Sequence, residues 1–442
     1  MAEASYDVIV LGAGLGGLAA GLTLLRSGVS VLMVESRGHV GGRCQTIPAR
    51  HCLLPVGTVV IPCGDFLEGL FTDFEVPFDV VRVPTRGVYE IGGQRIPVPG
   101  RGALRTLANA ALPDAPDLVD NLLAAVRRAL AWAEPSASIS MRDWLAQFVT
   151  APALLSAFQA MAGAYLATNS YEVSARAFVR YLRGAAGRAS IGIPRHGWGA
   201  LVEPLGSRFQ ELGGQLWTAC PVQSIRADNR RVSGAVVRRE GTDVEVRAPV
   251  VVSDLGPQST VGKVASEAWD LGYADDVAAI PTAPGVALFF RHDEELIEGG
   301  GPLLPSSAQR ACFAITPTML APGLGDGHSH WTEVLVTLAD SRVQTVAAGQ
   351  AAARAAVREV HEIFPALRGR SPFKQLSYRG DWPIYRTWPG WEMPYRTPVE
   401  GLFLVGDAVR QPDQNGTSAA AQSGVLVAGQ VLAQLGGTRQ AG

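Results

Sequence analysis

The chain has 442 residues, 47% of them hydrophobic and 18% charged, a composition that buries large cores and excludes a disordered protein. Its length suits two or three structural units. A net charge of -2 excludes the broad basic surface that a nucleic-acid binder needs. Lys263 and Lys374 are the only lysines, so arginine carries most of the positive charge. The 50 glycines follow no triplet period and form no Gly/Ser tract, which excludes collagen and flexible linkers. Cys44, Cys52, Cys63, Cys220 and Cys312 contain no C-x-x-C pair, which argues against a disulfide framework or zinc site and for reduced thiols in a cytoplasmic protein. Residues 1–6 lack a basic stretch, so a secretory leader is not expected. The apolar run 8–32 is broken by glycines and Arg26, so no integral membrane segment is expected.

Residues 6–11 (YDVIVL) read as a short buried strand of the parallel type. A glycine turn follows at 12–17. Leu18, Leu22 and Leu25 then recur at helical spacing up to Gly28, and 29–35 (VSVLMVE) is a second strand. Together they make one βαβ unit. Residues 36–100 are rich in Gly and Pro and read as loops and short strands. From 113 to 188 the pattern is helical. Leu118, Leu122, Val126 and Leu130, set four apart, predict one buried face of a helix over 117–133, and further helices are predicted over 141–149 and 153–166. This amphipathic stretch leaves peripheral membrane contact open beside packing within its own domain. A helix over 201–212 precedes strands at 222–227, 232–239, 244–247 and 250–253, turned at Asn229 and Gly241, as in a small meander. Strands are predicted at 286–291, 332–338 and 401–405, with helices over 341–364 and 418–435.

Gly12-Ala13-Gly14-Leu15-Gly16-Gly17 fits the dinucleotide fingerprint G-x-G-x-x-G, with a strand before it and a helix after it. Gly12 permits the tight turn, Gly14 lets backbone approach a pyrophosphate, and Gly17 lets the helix pack on the strand. The helix N-terminus offers free N–H groups to that pyrophosphate. Glu35 ends the second strand, where its carboxylate is expected to accept hydrogen bonds from a ribose. Arg37 keeps open a dinucleotide with a 2′-phosphate.

Ser36-Arg37-Gly38-His39-Val40-Gly41-Gly42-Arg43 resembles the second glycine motif of the FAD-dependent amine oxidase and phytoene desaturase superfamily. Residues 401–408 (GLFLVGDA) and 415–424 (NGTSAAAQSG) resemble its C-terminal flavin motif. Residues 194–199, the helix after them, Gly213, Gly214 and Val222 resemble its central segment, which builds the adenine side. The three matches are collinear and span nearly the whole chain. The resemblance implies an α/β fold. A discontinuous Rossmann-type FAD-binding domain, like that of p-hydroxybenzoate hydroxylase and the amine oxidases, would comprise 1–75, 196–275 and 396–442. An inserted α+β substrate-binding domain would comprise 76–195 and 276–395. It also implies cofactor contacts at Gly12, Gly14, Leu15, Gly16, Gly17, Glu35, Ser36, Arg37, Gly41, Gly42, Arg43, Val222, Gly406, Asp407, Gly416, Thr417 and Ser418. Arg43 would place fixed charge beside phosphate or flavin. Asp407 would bond a ribityl hydroxyl, and the last helix would aim its positive end at the flavin N1–C2=O edge. The monoamine oxidases tether flavin through a cysteine in the C-terminal motif. No cysteine lies beyond Cys312, so FAD is expected to be non-covalent.

The superfamily's shared step is hydride removal to flavin N5, so no acid or base of the chain is required and no metal is expected. His196, Trp382, Tyr385 and Trp388 are the candidates beside the flavin. His196 replaces a family glycine, and a hydrogen-bonded structural histidine is the other reading of it. In amine oxidases an aromatic stretch like 381–395 walls the pocket, and core packing under a loop is the alternative for Trp382, Tyr385 and Trp388. Trp391 and Tyr395 are weaker members of the same stretch. His328 and His330 read as part of a solvated loop. Many amine oxidases place a lysine near N5, whereas residues 289–291 (FFR) offer arginine in that region. The cadence of 398–407 (PVEGLFLVGD) leans toward the desaturases, yet the chain is short for a carotenoid desaturase, and the P-x-G-G turn is altered at 194–197. The expected reaction is desaturation or oxidation of a C–C or C–N bond in an apolar or aromatic-bearing small molecule. Flavin amine oxidation, non-redox flavin isomerisation and non-enzymatic binding of lipidated partners remain alternatives. The electron acceptor, oxygen, quinone or nicotinamide, stays open.

Overall fold

The computed structural model describes residues 5–83, 87–97, 102–185, 190–270, 272–412, 414 and 416–440. Val8–Leu11 is wholly apolar, with three β-branched residues, so it sits inside a sheet with both faces covered. Across that sheet the order is Gln215–Trp217, Val31–Val34, Val8–Leu11, Val250–Ser253 and Leu402–Leu404, every pair parallel. Val8 pairs with Val31 on one side and Val250 on the other. Parallel direction brings the C-terminal ends of all five strands to one edge, where open parallel sheets bind ligands. Two helices cover one face: Leu15–Arg26, and Gly416–Gln440 from the far end of the chain. Their backbones touch, since a Cβ added to Gly424 would lie 2.2 Å from the Gly16 carbonyl oxygen. Val222–Asp228, Arg231–Arg239 and Thr242–Arg247 form the expected antiparallel meander.

A second sheet has the order Lys374–Tyr378, Gly285–His292, His330–Val336, Ala311–Ile315, Leu303–Pro305, Val88–Ile91 and Gln94–Pro97. Strand alternation sends Phe289, Trp331 and Tyr378 to one face, in a core shared with the helices Ala103–Ala111, Pro116–Ala131, Met141–Ala146, Pro152–Met161 and Ala175–Ala185. Phe290, Val334 and Val336 point the other way, against the helix Val346–Ile363. A small sheet of Ile61–Cys63, Ser190–Pro194 and Val80–Val83 lies beside these.

The predicted elements are found with shifted ends and one rotated face. Helix Pro116–Ala131 buries Val119, Leu122, Leu123 and Val126 but leaves Leu118 43% exposed. A spacing of four advances about 40° per step around a helix, so the row Leu118, Leu122, Val126 and Leu130 drifts off the buried side. The helix predicted over 153–166 spans Pro152–Met161 and passes into a π turn at Ala162–Leu166. The helix predicted over 341–364 begins at Val346, where Thr345 accepts a hydrogen bond from the Ala348 N–H. No helix of the described residues is long and apolar enough to cross a membrane.

Candidate active site

The candidate site is built at the C-terminal edge of the parallel sheet. After Leu11 the chain turns through Gly12, whose φ of 96° favours glycine. The helix then starts so close to the strand that a Cβ on Gly17 would lie 2.1 Å from the Gly12 carbonyl oxygen. Gly14 caps this helix in an extended conformation and has no side chain to bond its first N–H groups. Gly41 and Gly42 come from the second motif to join the first. The Gly41 N–H donates to the Ala13 carbonyl at 2.7 Å, and a Cβ on Gly42 would lie 3.2 Å from the Gly14 Cα. The C-terminal motif meets them as well: a Cβ on Gly16 would lie 2.7 Å from the Gly406 nitrogen.

Glu35 is buried at the end of its strand. One carboxylate oxygen accepts from the Ala13 N–H at 2.9 Å, and the other accepts from the Arg37 N–H at 2.9 Å and the Ser36 hydroxyl at 3.1 Å. These bonds fix the carboxylate and leave it further acceptor capacity. Val222 is buried in the meander opposite Val237.

Four charged groups crowd the same edge. Arg43 pairs with the Asp407 carboxylate and donates to the Ile384 carbonyl at 2.8 Å and the Pro383 carbonyl at 3.1 Å. The Arg386 N–H donates to the other Asp407 oxygen at 3.0 Å. Burial pushes the Asp407 carboxyl up, but Arg43, Arg386 and that N–H together hold it below its ordinary value. Asp254, directly after its strand, accepts from the Gly17 N–H at 3.2 Å, and a Cβ on Gly14 would lie 2.3 Å from its Oδ2. Burial raises Asp254 to about 7, against the Gly17 N–H and the Arg386 guanidinium. Arg410 is buried beneath, bonded to Thr387 at 3.0 Å and to Glu392 at 3.2 Å. Cys44 lies beside Arg43, and burial pushes its thiol up to about 12, so it stays protonated.

The last helix begins at Gly416 with φ 64°. The buried Thr417 hydroxyl has no hydrogen-bond partner among the described residues. Ser418 does something else: its hydroxyl donates to Asp65 at 2.6 Å, and Asp65 caps the helix Phe66–Asp73.

These features fit a long anionic dinucleotide. The helix start, where Asp254 takes the Gly17 N–H and Gly14 brings no side chain, leaves its other first N–H groups to a pyrophosphate, Glu35 has acceptor capacity for a ribose, the two arginines supply fixed positive charge, and the orphaned Thr417 hydroxyl offers a polar atom at the flavin motif.

The aromatic candidates are spread around this edge. Trp382 lies under the Arg37 guanidinium, 4.0 Å from ring centroid to Cζ. Tyr385 donates to the Tyr165 carbonyl at 3.4 Å. Trp388 is buried in a small core with Ala167 and Ala283, and its indole N–H donates to the Thr282 carbonyl at 2.9 Å, an arrangement of core packing. The structure turns His196 outward, its side chain 60% exposed and 3.8 Å from the Asp79 carboxylate, because it occupies the N-cap of the helix Gly197–Glu211 at the surface. Trp391 is also exposed, and Tyr395 accepts from Gln411 at 2.8 Å. Arg291, the arginine of the FFR run, is taken up by Asp326. Lys374 lies on the edge strand of the second sheet, and the Lys263 carbonyl accepts from Ile225 at the meander. No group of three or more His, Cys, Asp or Glu among the described residues is placed to hold a metal ion.

Asp254 and Arg386 were not among the residues expected from sequence. Asp254 carried a usable signal, an acid directly after the apolar run VVVS of a parallel strand. Arg386 carried none, since its place depends on a loop 130 residues away from Gly256, against which it packs.

The model of the family described as flavin containing amine oxidoreductase matches residues 15–432. Flavin-containing amine oxidase A of Bos taurus is 25% identical over 297 residues, covering 65% of this chain and 51% of that protein, so the chain spans about half the length of that relative. The 15-cis-phytoene desaturase of Capsicum annuum is 21% identical over 470 residues, covering 97% of this chain and 77% of that protein. The crystal structure of an oxidoreductase from Methanosarcina mazei superposes with a TM-score of 0.83 at 21% identity, covering 95% of this chain and 99% of that one, which shows the shared fold. The chain therefore belongs to the flavin containing amine oxidoreductase family, and its cofactor is FAD.

Proposed function

We propose that this chain is an FAD-dependent oxidoreductase that removes hydride from a C–C or C–N bond of an apolar or aromatic-bearing small molecule. One observation carries the reading: three glycine motifs from distant parts of the chain meet at one sheet edge beside Arg43, Arg386 and Asp407. FAD bound there supplies the hydride acceptor, flavin N5. The chain's own residues do the rest. The N–H groups at the start of Leu15–Arg26 and the two arginines hold the anionic part, and Glu35 holds the adenosine end. Asp407, kept ionised by its arginines, is a fixed acceptor for a ribityl hydroxyl. Residues 1–75, 196–275 and 396–442 hold the cofactor, and 76–195 and 276–395 receive the substrate. The apolar core of the second sheet excludes water from the reacting bond. The cofactor is held without a covalent bond, since the nearby Cys44 is a neutral thiol and a poor nucleophile.

Amine oxidation is the second reading, supported by the match to the bovine amine oxidase over 65% of the chain. Both readings are tested by purifying the protein with FAD and titrating it without oxygen against amines and polyunsaturated hydrocarbons. The expected result is a flavin band near about 450 nm that bleaches with one of the two classes. Protein that stays colourless in excess FAD overturns the proposal. A substrate converted with no change in oxidation state replaces it with isomerisation. Capture of a prenylated protein by flavin-free chain replaces it with non-enzymatic binding. Adding oxygen, a quinone or a nicotinamide to the bleached protein then identifies the acceptor.

A further inference from the structure

Asp254 stands where the first and last glycine motifs meet. It directly follows the strand Val250–Ser253, and its own N–H donates to the Leu11 carbonyl at 2.8 Å, which holds it beside the first glycine turn. Its carboxyl is ringed by glycines of both motifs. A Cβ on Gly14 would lie 2.3 Å from Oδ2, one on Gly16 3.0 Å from Oδ1, and one on Gly406 2.7 Å from Oδ1. Oδ2 accepts from the Gly17 N–H at 3.2 Å. That N–H belongs to the first turn of the helix Leu15–Arg26 and is one that an N-cap side chain ordinarily takes, but the N-cap here is Gly14. The acid therefore caps the helix from another strand, at the N–H groups that suit a pyrophosphate. Oδ1 has no hydrogen-bond partner among the described residues.

Two anions at one helix start repel each other, and the groups facing Asp254 offset this only in part. Arg43 is paired with Asp407, and Arg386 packs against Gly256. Both arginines attract the carboxylate from a distance, and neither is joined to it by an ion pair among the described residues. Asp407, held ionised, pushes the other way, and the Cys44 thiol is neutral. Burial outweighs the rest, so Asp254 changes charge near about 7. A neutral carboxyl removes the repulsion. One oxygen still accepts from Gly17, and the O–H is a donor at the helix start, where the anion is held.

We propose that Asp254 couples cofactor loading to pH: the chain takes up one proton on this carboxyl when it binds the pyrophosphate of FAD, and it holds FAD less tightly as pH rises. The proton comes from solvent, and no bond of the cofactor changes. The coupling is reciprocal, so bound FAD strengthens the hold of Asp254 on its proton by the same factor. This rests on FAD lying with its pyrophosphate at the first helix, and it extends that reading from what is bound to when it is bound.

The test measures binding rather than turnover. FAD-loaded protein is dialysed to equilibrium against graded FAD at pH 6, 7, 8 and 9, under conditions where circular dichroism shows it folded, and bound flavin is read by absorbance. The dissociation constant is expected to be about 30-fold or more larger at pH 9 than at pH 6, approaching the rise of about ten-fold per pH unit that one linked proton gives. Asp254→Asn carries an amide that accepts from Gly17 and donates to an anion as the neutral acid does. Its dissociation constant is expected to vary less than about three-fold across the range and to stay near that of the unaltered protein at pH 6. A dissociation constant independent of pH in the unaltered protein overturns the proposal with no variant needed. So does a folded Asp254→Asn or Asp254→Ala protein that keeps the slope. Failure of the cofactor placement shows separately, as protein that takes up no FAD at any pH.

Discussion

Asp407 and Glu333 are both carboxyls, 4% and 3% exposed, one at the edge of the parallel sheet and one on a face of the second sheet. Burial pushes both up. Asp407 ends below its ordinary value because Arg43, Arg386 and a backbone N–H face it, whereas burial raises Glu333 to about 8 and no cation among the described residues offsets it. Burial therefore does not decide the charge of an acid in this molecule. The partners the chain brings to it decide. The edge of the parallel sheet brings cations to its acid, and the face of the second sheet brings none among the described residues to Glu333.

The largest effect expected follows from breaking the matched side. Asp407→Ala leaves the Arg43 guanidinium buried without its carboxylate, and stability should fall by about 3–5 kcal/mol with loss of bound flavin. Urea denaturation and the absorbance ratio of flavin to protein check this. Unchanged stability with full flavin content would mean that the Arg43–Asp407 pair is not what organises the edge. Next is Gly17→Ala, which drives a methyl into the Gly12 carbonyl. Helix and strand must separate, at roughly 1–3 kcal/mol, with weaker flavin binding on equilibrium dialysis.

Both regions respond to pH, the first through Asp254 and the second through Glu333. Glu333 and Asp254 are both raised above their ordinary values, so the folded chain binds more protons than the unfolded chain. Their contribution to stability is full below the unfolded carboxylate range and is lost as pH rises, through about 7 for Asp254 and about 8 for Glu333. Melting temperature should accordingly fall from pH 5 toward pH 9. Glu333→Gln should flatten the upper part of that slope and Asp254→Asn the lower part, each by roughly 2–4 °C. A melting profile identical to wild type in both variants contradicts the contrast between the two regions. The smallest effect is expected at Trp388, which belongs to neither. Trp388→Phe removes one hydrogen bond to Thr282, about 1 kcal/mol, and should leave the flavin spectrum unmoved.

The cofactor edge was legible in the sequence because its signals are local. Gly12 through Gly17, Glu35, Gly41 to Arg43 and Gly406-Asp407 each occupy a turn or strand end whose neighbours declare it. The βαβ unit and the meander were legible for the same reason, since the periods of helix and strand are read a few residues at a time. Asp254, Arg386 and Glu333 were not, because their roles come from residues brought near by the sheets. Glu333 in particular sits in a run, HWTEVLV, whose alternation is plain but whose face is set by the partner strands. His196 illustrates the reverse: a position suggested by resemblance sits at a helix start that the fold turns toward solvent. Trp388 was a pocket candidate by resemblance, with core packing as the alternative, and its ring lies in a small core with Ala167 and Ala283.

The contact of Gly424 with Gly16 and the pairing of Val251 with Leu402 have a consequence for how the protein is made. The first glycine turn leaves the ribosome about 400 residues before the strand and helix that close over it. At common translation rates of about 5–20 residues per second, that interval is roughly 20–80 s. During it the nascent chain presents an unfinished sheet with an unpaired edge at Val250–Ser253. FAD capture is thus a late event in synthesis, and premature termination anywhere before the last helix should yield an aggregation-prone chain rather than a partly active one.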